Sequence, residues 1–215
     1  MDLVVPDHLA YCFAAGRPIF LDTVRARYFT IHETLGEAFS AVVRDGAGAG
    51  RPDQVETLIR RGLLKPNGRR APRLSVVPAR RELAPAPRGG SSLNDAIGAA
   101  SAIWSTSRRL RREPFAKILS QLQADQEALP RSEADRVLVL AGRFLRHRAL
   151  VPVRSVCLLD SLALRRFMRR RGGHADLVFG VIASPFAAHC WLQCEDLVLN
   201  DRLERIEAFT PILVL

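Results

Sequence analysis

Three residues in the second half of the chain have the types and spacing for nucleophilic and acid–base chemistry. Cys157 stands in "VPVRSVCLLDSLALRRFMRRRGG", and His189 and Asp201 lie in "FAAHCWLQCEDLVLND". Cys157 lies near the start of a long apolar segment that runs into arginines and then Gly172. That pattern fits a helix with cations at its negative end and a glycine stop. Ser155 is the expected N-cap, which makes Cys157 roughly the second helical residue. A thiol placed there feels the partial positive charge of the helix N-terminus, which favours the thiolate, and the same unpaired N–H groups can hold an oxyanion. His189 falls in a strand pattern. Past a turn near "CED", a return strand brings Asp201 beside His189, where a carboxylate fixes the imidazole tautomer and stabilises the imidazolium.

Two plainer readings compete with the triad. A cysteine on an apolar helix is often a small buried residue. A His–Cys–Cys cluster could hold zinc, but alternation places His189, Trp191 and Gln193 on one face of the strand and Cys190, Leu192 and Cys194 on the other. Cys190 and Cys194 are therefore expected against the helix layer, with no metal and no cofactor. The four cysteines (Cys12, Cys157, Cys190 and Cys194) do not form a disulfide framework at this length.

The elements that must position these residues fall into two segments. The stretch 65–92, "KPNGRRAPRLSVVPARRELAPAPRGGSS", holds five of the thirteen prolines and reads as an extended connection. The expected division is a recognition domain over 1–75, a Pro/Arg-rich linker over 76–92 and a second domain over 93–215. The first segment opens with strands in "LAYCFAAG", which stops at Gly16, and in "RPIFLDTVRARYFTI", with a turn at Asp22 and Thr23. Helical spacing follows in "HETLGEAFSAVV", broken by "GAGAG". A second helix, "RPDQVETLIRRGLL", has Pro52 in its first turn, Gly62 after its end and Val55, Leu58 and Ile59 as its buried stripe. Three short strands followed by helices suggest a small winged-helix-like module. The second segment starts with amphipathic helices, the first of them burying Leu93, Ile97, Ala100 or Ser101, and Trp104. The Cys157 helix comes next, then the strands "ADLVFGVIA" and "AAHCWLQCEDLVLND". Helices followed by a sheet make the fold class α+β.

The chain carries a net charge of +10, and only Lys65 and Lys117 among its 32 basic residues are lysines. The basicity is spread over both halves, which suits an anionic partner or a solvated surface. Nucleic acid is disfavoured, because the helix that would read a groove starts with Asp53 and Glu56 and carries Arg60 and Arg61 only near its end. The apolar run "LVFGVIASPFAAHCWLQC" contains Pro185, His189 and Gln193, a poor membrane span, and "MDLVVPDHLAYC" has acids where a signal peptide needs positive charge. A soluble cytoplasmic protein is expected, with no nucleic acid and no membrane among its partners. No G-x-x-x-x-G-K-[ST] nucleotide loop is present.

The order of Cys at a helix start, His on a strand and Asp on the next strand is that of papain-like and transglutaminase-like cysteine enzymes. Over 150–201 the chain closely resembles the leader peptidase of lasso-peptide biosynthesis, the B protein. The Cys-to-His and His-to-Asp spacings, His-x-Trp and the terminal Asn-Asp all match, and a weaker likeness extends through 93–150. The first segment resembles the winged-helix peptide-binding domain of pathways for ribosomally made, modified peptides, with "GAGAG" where that domain often has a further helix. The resemblance implies a papain/transglutaminase-like α+β domain with Cys157 as nucleophile, His189 as base and acid, and Asp201 as its orienter. It also implies two partners: a lasso precursor peptide, held by its leader, and an asparagine-synthetase-like cyclase that closes the freed core. Leader contacts are expected on the edge strand 26–31, through Tyr28, Phe29, Thr30 and Ile31, and on the facing helix, through Val55, Leu58 and Ile59. Amide transfer by the same triad is the alternative chemistry, and a DNA-binding winged helix with a non-catalytic C-terminal domain is the alternative class.

Overall fold

The computed structural model describes residues 3–66, 76–84, 92–128 and 134–215 and has the expected mixed α+β architecture. Three strands, β2 (Leu9–Ala14), β3 (Arg17–Asp22) and β4 (Arg27–Thr30), form an antiparallel meander in the order β2-β3-β4, and a short β1 (Leu3–Val4) pairs with β5 (Lys65–Pro66). The first hairpin turns through Ala15 and Gly16, both at positive φ, as a tight two-residue connection requires. At the second turn the Asp22 carboxylate accepts the N–H groups of Val24 (3.0 Å) and Arg25 (2.8 Å). Helices α1 (Glu33–Asp45) and α2 (Pro52–Arg60) follow, joined through a single 3₁₀ turn (Ala47–Ala49) in the "GAGAG" stretch. Pro52 starts α2, and Gly62 (φ 71°) follows its end.

Alternation along β3 divides its side chains between two cores. Phe20 turns toward α1 and α2 and packs with Phe39, Val42, Leu58 and Leu64. Ile19 and Leu21 turn the other way, with Cys12 and Ala14 of β2, into a core shared with the second half of the chain.

That second half contains α3 (Leu93–Arg112), α4 (Phe115–Ala128), α5 (Ala134–Arg148) and α6 (Cys157–Arg169). A five-stranded sheet completes it. The strands β6 (Arg81–Glu82), β7 (Asp176–Ile182), β8 (Ala187–Cys194), β9 (Leu197–Val198) and β10 (Thr210–Val214) stand in the order β10-β7-β8-β9-β6, with a short α7 (Leu203–Ile206) before β10. Helix α6 is the centre of the layer: Leu159, Leu162, Ala163, Leu164, Phe167 and Met168 are all buried.

The expected stripe on α3 is on the wrong face. Leu93, Ile97 and Trp104 are exposed, and the buried positions are Asp95, Ala99, Ala102, Ile103 and Thr106. Small side chains let α3 approach α5 and α6 closely, so backbone proximity, not side-chain size, decides which face is buried. Asp95 ties this layer together. It completes a capping box with Ser92 and lies 3.8 Å from both Arg143 of α5 and Arg171 beyond the end of α6.

The 76–92 stretch is not a free tether where it is described. Arg80 and Arg81 donate backbone N–H groups to the Asp196 carbonyl at 2.8 and 3.1 Å, and Leu83 donates to Val198 at 2.8 Å, so β6 adds a parallel strand beside β9. Gln193 donates to the Val77 carbonyl at 2.6 Å, and Val76 and Ala79 pack on the sheet. Proline discouraged a strand reading here, but β6 needs only two residues on a sheet edge, where proline neighbours are tolerated. The remainder of the proline-rich stretch, 67–75 and 85–91, lies outside the described residues.

Asp95 generates a stability prediction. Asp95→Ala removes the box and leaves Arg143 and Arg171 without their shared carboxylate, and should lower unfolding free energy by about 2 kcal/mol in urea titration. A loss within experimental error would mean that the helix layer does not depend on this carboxylate.

Candidate active site

Cys157 is the first residue of α6. Its N-cap is Val156, extended at φ −139° and ψ 133°, and no side chain caps the first turn. Ser155 is therefore not the cap: its hydroxyl donates to the Asp160 carboxylate instead. Arg148 fixes the approach to the helix. Its Nε donates to Asp160 at 2.6 Å, while Nη1 and Nη2 donate to the carbonyls of Val151 (3.3 Å) and Val153 (3.0 Å). The uncapped first turn directs its free N–H groups at whatever charge develops beside Cys157.

The thiol sits at an open strand edge. β8 pairs with β7 from Ala187 to Gln193, but among the described residues β9 pairs only with Gln193 and Cys194. The other side of β8 at His189 and Cys190 is therefore free of strand, and Cys157 occupies it. Both the thiol and the backbone N–H of Cys190 bond to the Cys157 sulfur, and His189 reaches it from the opposite strand face. A thiol at an edge can touch both faces at once, which is why alternation did not keep His189 and Cys190 apart.

The electrostatics follow from these contacts. The bond from Cys190, the bond from His189 and the His189 charge bring the Cys157 pKa down to about 4, against the opposing effect of burial. His189 rises to about 9, first through its hydrogen bond to Asp201 and then through Cys157. Burial alone would raise Asp201; bonds from His189 and from the Arg202 N–H (2.8 Å) hold it below its ordinary value. Cys190 is pushed far up, by the neighbouring Cys157 and then by burial, and stays a neutral donor. At neutral pH the site is a thiolate–imidazolium pair backed by a carboxylate. The His189 Nε2 bonds Asp201, which leaves Nδ1 to face the sulfur.

Several residues that hold this arrangement carried no sequence signal of a role. Ser161, fully buried one turn along α6, donates to the Cys190 carbonyl at 3.3 Å and accepts from Asn200 at 2.9 Å. Asn200 accepts the Leu192 N–H at 2.7 Å. This relay sets the register of α6 against β8 and of the Asp201 loop against both. On the other face, Trp191 and Phe209 lie 6.3 and 5.4 Å from the His189 ring, centroid to centroid. Gly180 is directly opposite His189 in the sheet, and a Cβ there would come within 2.9 Å of Trp191 and of Phe209. The Asn200–Asp201 pair was visible as a motif; the roles of Ser161 and Gly180 depend on tertiary register.

The expected peptide contacts divide. Among the described residues β4 is an edge strand, paired only with β3. Phe29 stacks on Phe20 at 5.1 Å, and it and Ile31 face the helical layer together with Val55, all three partly buried. Ile59 is exposed, so it is not part of a buried stripe, and it remains accessible to a ligand. Leu58 is 0% exposed and packs in the core; it is not a groove wall. Thr30 is exposed, with its hydroxyl donating to the Pro18 carbonyl at 2.9 Å. Tyr28 faces away from the helices: it packs against the shared core, as Cys157 also does, and contacts the Phe186 ring at 5.8 Å. Burial, the largest cause, raises its pKa, and the negative charge of Cys157 adds to the rise. Tyr28 thus brings the first segment to the catalytic-type cluster.

Residues 100–214 match the Transglut_core3 family, described as the transglutaminase-like superfamily. The match covers more than half of the chain, which therefore belongs to that superfamily. No curated protein and no solved structure matches the chain. The cysteine-protease-like character of the superfamily fits the Cys157–His189–Asp201 geometry. Among the described residues, no helix is long and apolar enough to cross a membrane.

Two predictions follow from the charge pair and its packing. A cysteine at the ordinary 9.0 would lose roughly a thousandfold of its thiolate by pH 6, whereas Cys157 titrates at about 4. Its alkylation by iodoacetamide, read by peptide mass spectrometry, should stay flat from neutral pH to about 5 and fall only on further acidification. A rate that falls tenfold per pH unit below 8 would refute the pair. Gly180→Val should cost about 1–3 kcal/mol by overpacking and should also displace His189, collapsing that flat profile toward an ordinary thiol's.

Proposed function

We propose that this chain is a leader peptidase that binds the leader of a lasso-type precursor peptide and hydrolyses the bond between leader and core. The observation that carries this reading is Tyr28: it sits on the edge strand β4, packs against the same core as Cys157 and lies within reach of the Cys157 charge, so an open strand edge and a thiolate site border one core. The resemblance over 150–201 and the superfamily membership support the same chemistry.

In the proposed reaction the leader adds as a strand to the open edge of β4, with main-chain bonds supplying affinity and Phe29, Ile31, Val55 and Ile59 reading its apolar side chains. The Cys157 thiolate attacks the scissile carbonyl. The tetrahedral oxyanion draws on the first-turn N–H groups of α6, and His189 gives its proton to the departing amine, the N-terminus of the core. His189, now neutral, takes a proton from water, which attacks the thioester and releases the leader as an acid. Asp201 holds the imidazole throughout. The freed amine is the group that an ATP-dependent, asparagine-synthetase-like cyclase would join to a side-chain carboxylate, and that enzyme and the precursor are the proposed partners.

The test is mass spectrometry of precursor incubated with the full chain and its cyclase partner. Cys157→Ala and His189→Ala should each abolish leader release, and Asp201→Asn should slow it by orders of magnitude. Release by Cys157→Ala at the wild-type rate would overturn the peptidase reading. Leader recovered as an adduct of an added amine, not as the free acid, would assign amide transfer instead. Ile59→Glu should weaken labelled-leader binding by about tenfold, or about 1.4 kcal/mol, in anisotropy titrations, with Cys157 alkylation unchanged.

A further inference from the structure

The C-terminal half of α6 borders a second site, away from Cys157. A cavity of about 70 Å³ opens between α3, α4 and α6, and its wall includes Arg109, Asp125, Arg165, Arg166 and Arg169. Arg109 is paired with Glu113 at 3.2 Å, and Arg169 is paired with Asp125. The other two arginines have no such partner. Arg165 is only 5% exposed; its Nη2 donates to the Leu122 carbonyl at 3.3 Å, and its Nη1 is buried with no hydrogen-bond partner among the described residues. The Nε of Arg166 is likewise buried and unpartnered. Among the described residues neither forms an ion pair.

A guanidinium buried with an unsatisfied donor is among the costliest groups a fold can carry, and natural proteins retain one chiefly where something else supplies the counter-charge. Burial lowers the pKa of Arg165 to about 10 and also lowers that of Arg166, yet both remain charged at neutral pH. Asp176 acts on Arg165 only at longer range, outside ion-pair distance, so two adjacent guanidinium groups without a close counter-charge call for an anion that can meet both at once. The planar, multi-donor guanidinium is suited to oxygens on one tetrahedral centre. A phosphoryl group carries about −1.5 to −2 at neutral pH, which a single carboxylate does not. The cavity exceeds the volume of a single water and is small enough to exclude a large head group.

We propose that this cavity binds a small phosphoryl oxyanion, free phosphate or the phosphoryl end of a larger molecule, through Arg165 and Arg166. The site is independent of the peptidase reading: Arg165 lies eight residues along α6 from Cys157, about 12 Å at the helical rise. Its occupant would lock α3 and α4 onto the helix that carries Cys157.

The full chain is titrated with sodium phosphate, pyrophosphate and glycerol 3-phosphate at ionic strength held constant with chloride, with sodium acetate as the carboxylate comparison. Melting temperature and calorimetry are the readouts. The expected result is a saturable rise in Tm with a phosphoryl compound and at least a tenfold weaker Kd in Arg165→Met. The ligand-free Tm of Arg165→Met should be unchanged or higher, because an unpaired buried charge is gone. Arg166→Gln, at a less buried position, is the second variant and should weaken binding in the same direction. A rise with phosphate itself assigns a free anion; a rise only with pyrophosphate or glycerol 3-phosphate assigns the end of a larger molecule. The proposal is overturned if no phosphoryl compound acts beyond the chloride background, if acetate acts equally, or if both variants bind as the wild type does.

Discussion

The fold is organised around one electrostatic constraint: a thiolate must be held next to an imidazolium without either escaping to water or neutralising the other. α6 supplies the positive end of a helix, β8 supplies a backbone N–H and a neutral thiol from Cys190, and Asp201 supplies the charge that keeps His189 protonated. Each contribution comes from a different element, so the register among them is the quantity the surrounding structure has to protect. Ser161 and Asn200 do this with hydrogen bonds on one side of β8, and Gly180 does it on the other by leaving room for Trp191 and Phe209. The apolar core fixes where α6 lies; the polar relay fixes how far along its own axis it has slid.

The placement of Cys157 at a helix start and of His189 on a strand was readable because the signals are local. A cysteine before an apolar helical run, a histidine in an alternating strand and an acid after a turn each declare their element, and the fold class follows from the order of the elements. What was not readable depended on contacts distant in sequence. Leu93, Ile97 and Trp104 have helical spacing but lose to Ala99, Ala102 and Ile103, because closeness of approach is a property of the pair of helices. Leu58 and Ile59 are adjacent in one expected stripe, yet only Leu58 meets Phe20 and Phe39. The two-residue β6 has no periodicity to detect, and β10 followed a helix too short to signal that the sheet would resume. Tyr28 was assigned to the peptide groove from its strand, but strand alternation gives two faces and only the docking of the first segment decides which one is which.

That docking changes how recognition and chemistry are connected. A proline-rich connection between two independent bodies would act by effective concentration, which depends on chain length and is blind to direction. Here Cys12, Ala14, Ile19 and Leu21 of the first segment are buried in the same core as Phe167, Phe179 and Leu192 of the second, and residues 76–84 are bonded along the sheet. On the proposed reading, a leader on the edge of β4 would be held at a fixed distance and orientation from Cys157. Positioning of this kind would act on the transition state as well as on binding, since it would select which peptide bond lies beside the sulfur. It also couples the parts: splitting the chain between them would expose the apolar face of β2 and β3 along with its partner surface, so neither piece is expected to behave as a free domain. Tyr28 stands at the junction, where the face of β4 turned away from the helices packs against the same core as Cys157 and within reach of its charge.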